Sequence, residues 1–312
     1  MSRNDRFQAL VNTAASLEKK HVCVVVHPCD EVSLSSAVQA SQLNLFTPVL
    51  VGPEERIRQV AREHGLDIGG LQIINTMHSH GSADTAVAEV QAGRATLMMK
   101  GSLHSDELLH SVLCYNGGLR TERRISHVFV MDVPSYDKLL FITDGAINIF
   151  PTLCEKADII RNAIDLHLAL GLDTPRVAIL SAVEQINEKM QSTIDAAALC
   201  KMADRGQIKG GILDGPLAMD NAISPEAAAI KGIQSPVAGH AQILLVPDLE
   251  AGNMLVKNLT FLSGADAAGI VLGARVPIIL TSRADSERTR LASCAVAAVY
   301  ADSLIKNRAI GK

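Results

Sequence analysis

Two strand-to-helix junctions carry residues that could hold an anion. In Pro277–Ser286 an apolar run ends in Thr281-Ser282-Arg283, and a helical pattern follows. Hydroxyls can donate to a phosphate oxygen, an arginine can grip it with two parallel N–H bonds, and a helix N-terminus adds unpaired N–H groups and partial positive charge. The same spacing also reads as a capping box, Ser282-x-x-Asp285, with Arg283 in solvent. In the second junction, Met98–Ser102, Lys100 closes a strand and Gly101-Ser102 permits close backbone approach before a helix opens near His104. The plainer reading there is a βα turn with a snorkelling lysine. His110 lies two turns into that helix. Two further strand ends, Asp214–Asn221 and Pro247–Asn253, are acidic. Asp214, Asp220 and Asp248 could offer hard oxygen ligands to magnesium, although turn and cap chemistry explains them as well. GxxxxGK[ST], GxGxxG and GxSxG are all absent from the sequence.

Alternating elements must position these junctions. Strands are expected at 21–27 (HVCVVVH), 47–51, 71–75, 95–100, 176–181, 210–213, 242–246, 268–272 and 276–281. Helical patterns lie between them, at 33–43, 53–64, 82–92, 104–114, 154–170, 187–203, 225–231, 249–262 and 286–304. Such alternation predicts an α/β fold of mostly parallel strands flanked by helices. The exception is 127–133 and 138–143, whose short loop 134–137 predicts an antiparallel hairpin. Thr152-x-x-Glu155 reads as a capping box, and Ser224-Pro225 as an N-cap followed by proline in the first turn.

Composition excludes several classes. Of 312 residues, 48% are hydrophobic and 20% charged, as in a folded globular protein. Aromatics at 3%, with no Trp, argue against a stacking platform for single-stranded nucleic acid. A net charge of −4 argues against a general phosphate-backbone binder. The six cysteines form no CxxC pair and suit free thiols in a reducing compartment. The N-terminus shows no apolar signal core, and no apolar run is long enough to span a bilayer. A cytoplasmic protein without membrane or nucleic-acid partners is expected.

At LTSRADS (280–286) the sequence resembles the phosphate acetyl/butyryltransferase family. LMMKG (97–101), GLRTERRISHVFV (118–130), GGILDGPLAMDNAIS (210–224) and the long block 243–286 carry the likeness over nearly the whole chain. The chain's shorter length and GPLAMDNAIS lean toward the butyryl branch. The resemblance implies a two-domain isocitrate/isopropylmalate-dehydrogenase-like fold with its site between the domains, 1–120 plus 271–312 and 121–270, and a homodimer. The implied reaction converts acyl-CoA and inorganic phosphate reversibly into acyl phosphate and CoA, with no cofactor or metal. Ser282 and Arg283 would serve the acyl-phosphate end, and Asp285 is the nearest carboxylate for a general base. Thr281, Lys100, Gly101, Ser102 and His110 are the candidate substrate-binding residues, His110 standing where acetyl members carry an arginine. Two alternatives remain: a metal-dependent oxidoreductase on the same fold, and a non-catalytic CoA- or acyl-phosphate-binding relative.

Overall fold

The computed structural model describes residues 5–281 and 285–310. The chain forms two compact units, one of Met1–Arg123 with Ala268–Lys312, the other of Arg124–Ala267.

The first unit opens with α1 (Asp5–Ala15), then alternates β1 (Val22–Val26), α2 (Glu31–Gln42), β2 (Thr47–Gly52), α3 (Glu54–Glu63), β3 (Gln72–Asn75), α4 (Ser79–Gln91), β4 (Leu97–Lys100) and α5 (Ser105–Leu113). The β1, β2 and β4 runs are rich in Val, Leu and Met, the composition of strands covered on both faces, whereas β3 (QIIN) is a half-exposed edge strand. β1 is flanked by β2 and β4, both parallel to it, and β3 pairs parallel to β2. Val25, Leu50 and Met98 are fully buried, and each such side chain contributes about 1.5–3 kcal/mol.

The second unit begins with the expected hairpin. β5 (Ser126–Asp132) pairs antiparallel with β6 (Leu140–Thr143), Val130 opposite Phe141. Then come α6 (Leu153–Ala169), β7 (Arg176–Leu180), α7 (Gln191–Asp204), β8 (Ile212–Leu217), α8 (Met219–Ile223), α9 (Pro225–Ile230), β9 (Ile243–Leu245) and α10 (Leu249–Phe261). Within this unit the strand order is β5-β6-β9-β7-β8, parallel from β6 onward. The Thr152 box caps α6 in both directions, and the Ser224 hydroxyl accepts from Ala227 N at the start of α9. Lys156 on α6 and Asp195 on α7 form a buried ion pair at 2.7 Å.

The chain returns to the first unit with β10 (Asp266–Leu272), β11 (Ile278–Ile279) and α11 (Glu287–Ile310). β11 pairs parallel with β4 and antiparallel with β10, so it ends beside Lys100. α11 packs on α1 and α2 through a small-residue face in which Cys294, Ala295 and Ala298 are fully buried. Ser286, whose hydroxyl accepts from Thr289 N, caps α11. The helix thus starts four residues beyond the Ser282 cap of the alternative reading. Among the described residues, no helix is long and apolar enough to cross a membrane.

Candidate functional site

In parallel α/β sheets ligands collect beyond the strands' carboxyl ends, where helix N-termini converge. In the first unit β1, β4 and β11 lie side by side there. Asp30, Val32, Ser33, Lys100, Gly101, Thr281 and Arg290 line one small cavity at that edge. Its volume is about 20 Å³, room for about one water-sized atom. It suits one oxygen of an anion rather than a whole substrate.

Each wall has a reason. The first turn of α2 contributes its N-terminus, and Asp30 caps that helix: its carboxylate accepts from Ser33 N at 2.8 Å and from the Ser33 hydroxyl at 2.6 Å. These bonds turn the one acidic group on the wall into the helix end. Lys100 Nζ donates to the Gly101 and Leu103 carbonyls, at 3.2 and 3.1 Å, which folds the β4–α5 turn around the ammonium. Gly101 is dictated by crowding: a Cβ there would lie 2.5 Å from the His27 carbonyl oxygen. Gly101 N donates to Val26 O at 2.8 Å and Ser102 N to His27 O at 2.9 Å, stitching the ends of β1 and β4 together.

Arg290, on the first turn of α11, is the residue that sequence reading missed. Its Nε donates to Ser36 Oγ on α2 at 2.7 Å, and its Nη1 donates to the Asp285 carbonyl. The guanidinium thereby ties three pieces of chain, 254 residues apart at the widest, around the cavity.

The structure brings Lys100, Gly101 and Thr281 together. The Ser102 hydroxyl donates to the His27 carbonyl at 2.9 Å and is not on the cavity wall. His110 is exposed on α5, also off that wall. Asp285 is half-buried just before α11. Ser282 and Arg283 lie outside the described residues.

His27 was also missed. It sits at the carboxyl end of β1, half-buried, with φ of +57°. For a residue with a Cβ this left-handed conformation costs about 1–2 kcal/mol. Three donors, Cys29 N, Ser102 N and Ser102 Oγ, converge on its carbonyl and hold it there. Its Nδ1 lies 3.1 Å from Ser82 Oγ. Burial, then the charge of Arg56, lowers its pKa from the usual histidine value.

The acidic strand ends of the second unit have local roles. Asp214 accepts from its neighbour Gly215 N, Asp220 pairs with Lys231 at 3.1 Å, and Asp248 caps α10 through Ala251 N. Among the described residues, no three His, Cys, Asp or Glu side chains cluster to hold a metal. A wider hollow, about 500 Å³, also lies in this unit. Its wall is mainly apolar, with Glu226 its one charged residue, so it offers no cation to an anionic ligand.

The family model described as phosphate acetyl/butaryl transferase matches residues 78–298, and the chain belongs to that family. It is 66% identical to a phosphate acetyltransferase of Rhizobium meliloti, over 96% of this chain and 94% of that one. It is 43% identical to a phosphate butyryltransferase of Clostridium beijerinckii, over 96% and 99% respectively. Identity is therefore higher to the acetyl relative, which matches this chain over nearly its full length. The shorter length that leaned toward the butyryl branch does not separate the two. Among solved structures, a phosphotransacetylase of Streptococcus pyogenes superposes with a TM-score of 0.83 at 25% identity, over 97% of this chain and 100% of that one. A branched-chain phosphotransacylase of Enterococcus faecalis gives 0.78 at 29%, over 90% and 99%.

Proposed function

We propose that this enzyme is a phosphate acyltransferase that moves a short acyl group reversibly between coenzyme A and inorganic phosphate. The observation that carries this reading is the meeting of Lys100, Thr281 and Arg290 at the first turn of α2, in a chain of this family. Two cations, a hydroxyl and helix N–H groups together suit a phosphate oxygen. They would hold phosphate for attack on the thioester carbonyl and take up charge as the tetrahedral oxyanion forms.

Acetyl is the favoured acyl group, on the higher identity to the acetyltransferase. Ser282 and Arg283 follow Thr281 directly in sequence. The resemblance assigns them the acyl-phosphate end, with Arg283 gripping phosphate and Ser282 bonding the oxyanion. For the thiol proton, Asp285 is the acceptor that sequence offers.

Attack is direct, within a ternary complex. Burial pushes the Cys29 thiol up to about 11 and the Cys200 and Cys294 thiols to about 12, and raises Cys23 well above its usual value. Protonated thiols are poor nucleophiles, which disfavours an acyl-cysteine intermediate at these four positions. A cytoplasmic homodimer of isocitrate/isopropylmalate-dehydrogenase-like architecture, needing no cofactor, is the working form that the resemblance supports.

The test is thiol release from acetyl-, propionyl- and butyryl-CoA with and without phosphate. Phosphate-dependent release with acyl phosphate formed in equal amount is expected. Equal release in phosphate-free buffer would signal a thioesterase and defeat the reading.

A further inference from the structure

We propose that His27 is the general base that takes the proton from the CoA thiol. The proposal rests on the acyltransferase reading above and names a residue for a step that reading leaves to Asp285.

Position comes first. His27 follows the last residue of β1, and its carbonyl is bonded by Ser102 N, next to the Gly101 that lines the anion cavity. Its half-buried ring belongs to a residue held left-handed by three hydrogen bonds to its own carbonyl. Strain of this kind persists where surrounding structure over-determines it, commonly at functional sites.

The ring's wiring comes second. Nδ1 faces Ser82 Oγ at 3.1 Å. That hydroxyl lies 2.8 Å from Thr76 Oγ1 and donates to the His78 carbonyl at 3.0 Å. With the Ser82 proton on that carbonyl, Thr76 and His27 Nδ1 both donate to Oγ. Nε2 is then the bare nitrogen, and it has no hydrogen bond among the described residues. A base oriented through its other nitrogen is the arrangement general-base histidines need.

Charged groups surround the ring from several elements. Arg56 on α3 and His78 at the head of α4 disfavour the imidazolium, whereas Asp30 and Glu107 on α5 favour it. Glu107 Oε2 is buried without a hydrogen-bond partner, so a carboxylate stands ready to steady the ring once it is protonated. Burial is the largest influence and favours the neutral ring.

In the direction of CoA acylation, the thiol S–H bond breaks as Nε2 takes the proton, and sulfur forms the new C–S bond at the acyl-phosphate carbonyl. The C–O bond to phosphate then breaks, phosphate leaves with the electron pair, and the imidazolium proton passes to it or to water. Reversed, phosphate attacks the thioester and the departing thiolate recovers the proton from Nε2. No oxidant or further reactant is needed.

The experiment is the pH profile of kcat/KM for CoA with acetyl phosphate, from pH 5.5 to 9, for wild type and His27→Asn. Asparagine tolerates a left-handed φ and can still donate to Ser82, but it is no base. Wild type should lose rate on an acid limb at or below pH 6.5. His27→Asn should lose that limb and about 10²–10³-fold in rate at pH 7. Its deficit should shrink toward pH 8.5, because below the thiol pKa each unit of rise in pH supplies about tenfold more thiolate. If His27→Asn melts early, His27→Gly, which accepts the same φ, takes its place. A deficit constant across pH, or a variant that keeps both rate and acid limb, overturns the proposal. Asp285→Asn should keep the acid limb; its disappearance there would move the role to Asp285. If wild type itself transfers no acyl group, the acyltransferase reading falls and this proposal with it.

Discussion

Replacing Gly101 by alanine tests whether the carboxyl edge of the first unit is the working surface. The added Cβ would stand 2.5 Å from the His27 carbonyl oxygen and 2.6 Å from its carbon, about 0.9 Å inside the 3.4 Å at which ordinary contact begins. These obstacles are backbone atoms of a strand end, which cannot rotate aside as a side chain could. The ends of β1 and β4 must separate, weakening the bonds from Gly101 N to Val26 O and from Ser102 N to His27 O. Two net hydrogen bonds at about 1 kcal/mol each, plus about 1–3 kcal/mol for overpacking, give about 3–5 kcal/mol. Melting should fall by about 6–20 °C at about 2–4 °C per kcal/mol. Below that temperature, turnover should still drop about 10²-fold, since a shift near 1 Å in a positioning group costs that much. Gly93→Ala is the control: φ is +72° there, but nothing lies within 4 Å of the new methyl. It should cost about 1 kcal/mol and leave turnover unchanged. The assay pairs differential scanning with thiol release at 25 °C. If Gly101→Ala melts and turns over like wild type, the β1–β4 edge does not position the site.

Two more outcomes follow from buried ionisable groups and a third from the family resemblance. Lys156→Met leaves Asp195 buried and unpaired, and should destabilise by about 3–5 kcal/mol in urea unfolding, with the double variant Lys156→Met/Asp195→Leu recovering much of it. His167 is fully buried, and burial lowers its pKa to about 4. The unfolded chain takes up that proton near pH 6.5 and the folded chain only near 4, so its contribution is intact above 6.5 and falls by about 3 kcal/mol down to pH 4. His167→Gln should flatten the urea midpoint across that window. Arg283→Lys should lose about 10²–10³-fold in turnover, because an ammonium lacks the planar fork, and Ser282→Ala should lose less; unchanged turnover in Arg283→Lys would remove it from the site.

Much of the fold was legible because strands and helices announce themselves differently. HVCVVVH and TPVLV are β-branched runs, and the Pro134–Asp137 loop between two such runs marked the antiparallel break. α1 escaped because its head is polar, although Phe7, Leu10 and Ala14, all buried, fall at helical spacing. α8 is one turn between two prolines, too short to show a period. The Thr281 and Lys100 junctions were visible as local patterns, since a turn and its cation are neighbours in sequence. Arg290 was invisible for the opposite reason: its meaning comes from Ser36, 254 residues away. His27 was hidden by its own neighbour, because a residue before proline is expected to be extended, whereas His27 turns left-handed.

The central claim is that phosphate is held by the cations of the first unit, and the phosphate dependence of Lys100→Met measures this directly. With acetyl-CoA saturating, KM for phosphate should rise at least about tenfold, the loss of one charge-assisted contact, while KM for acetyl-CoA stays within about twofold. A rise confined to acetyl-CoA, with phosphate KM unchanged, would contradict the assignment and place the phosphate elsewhere.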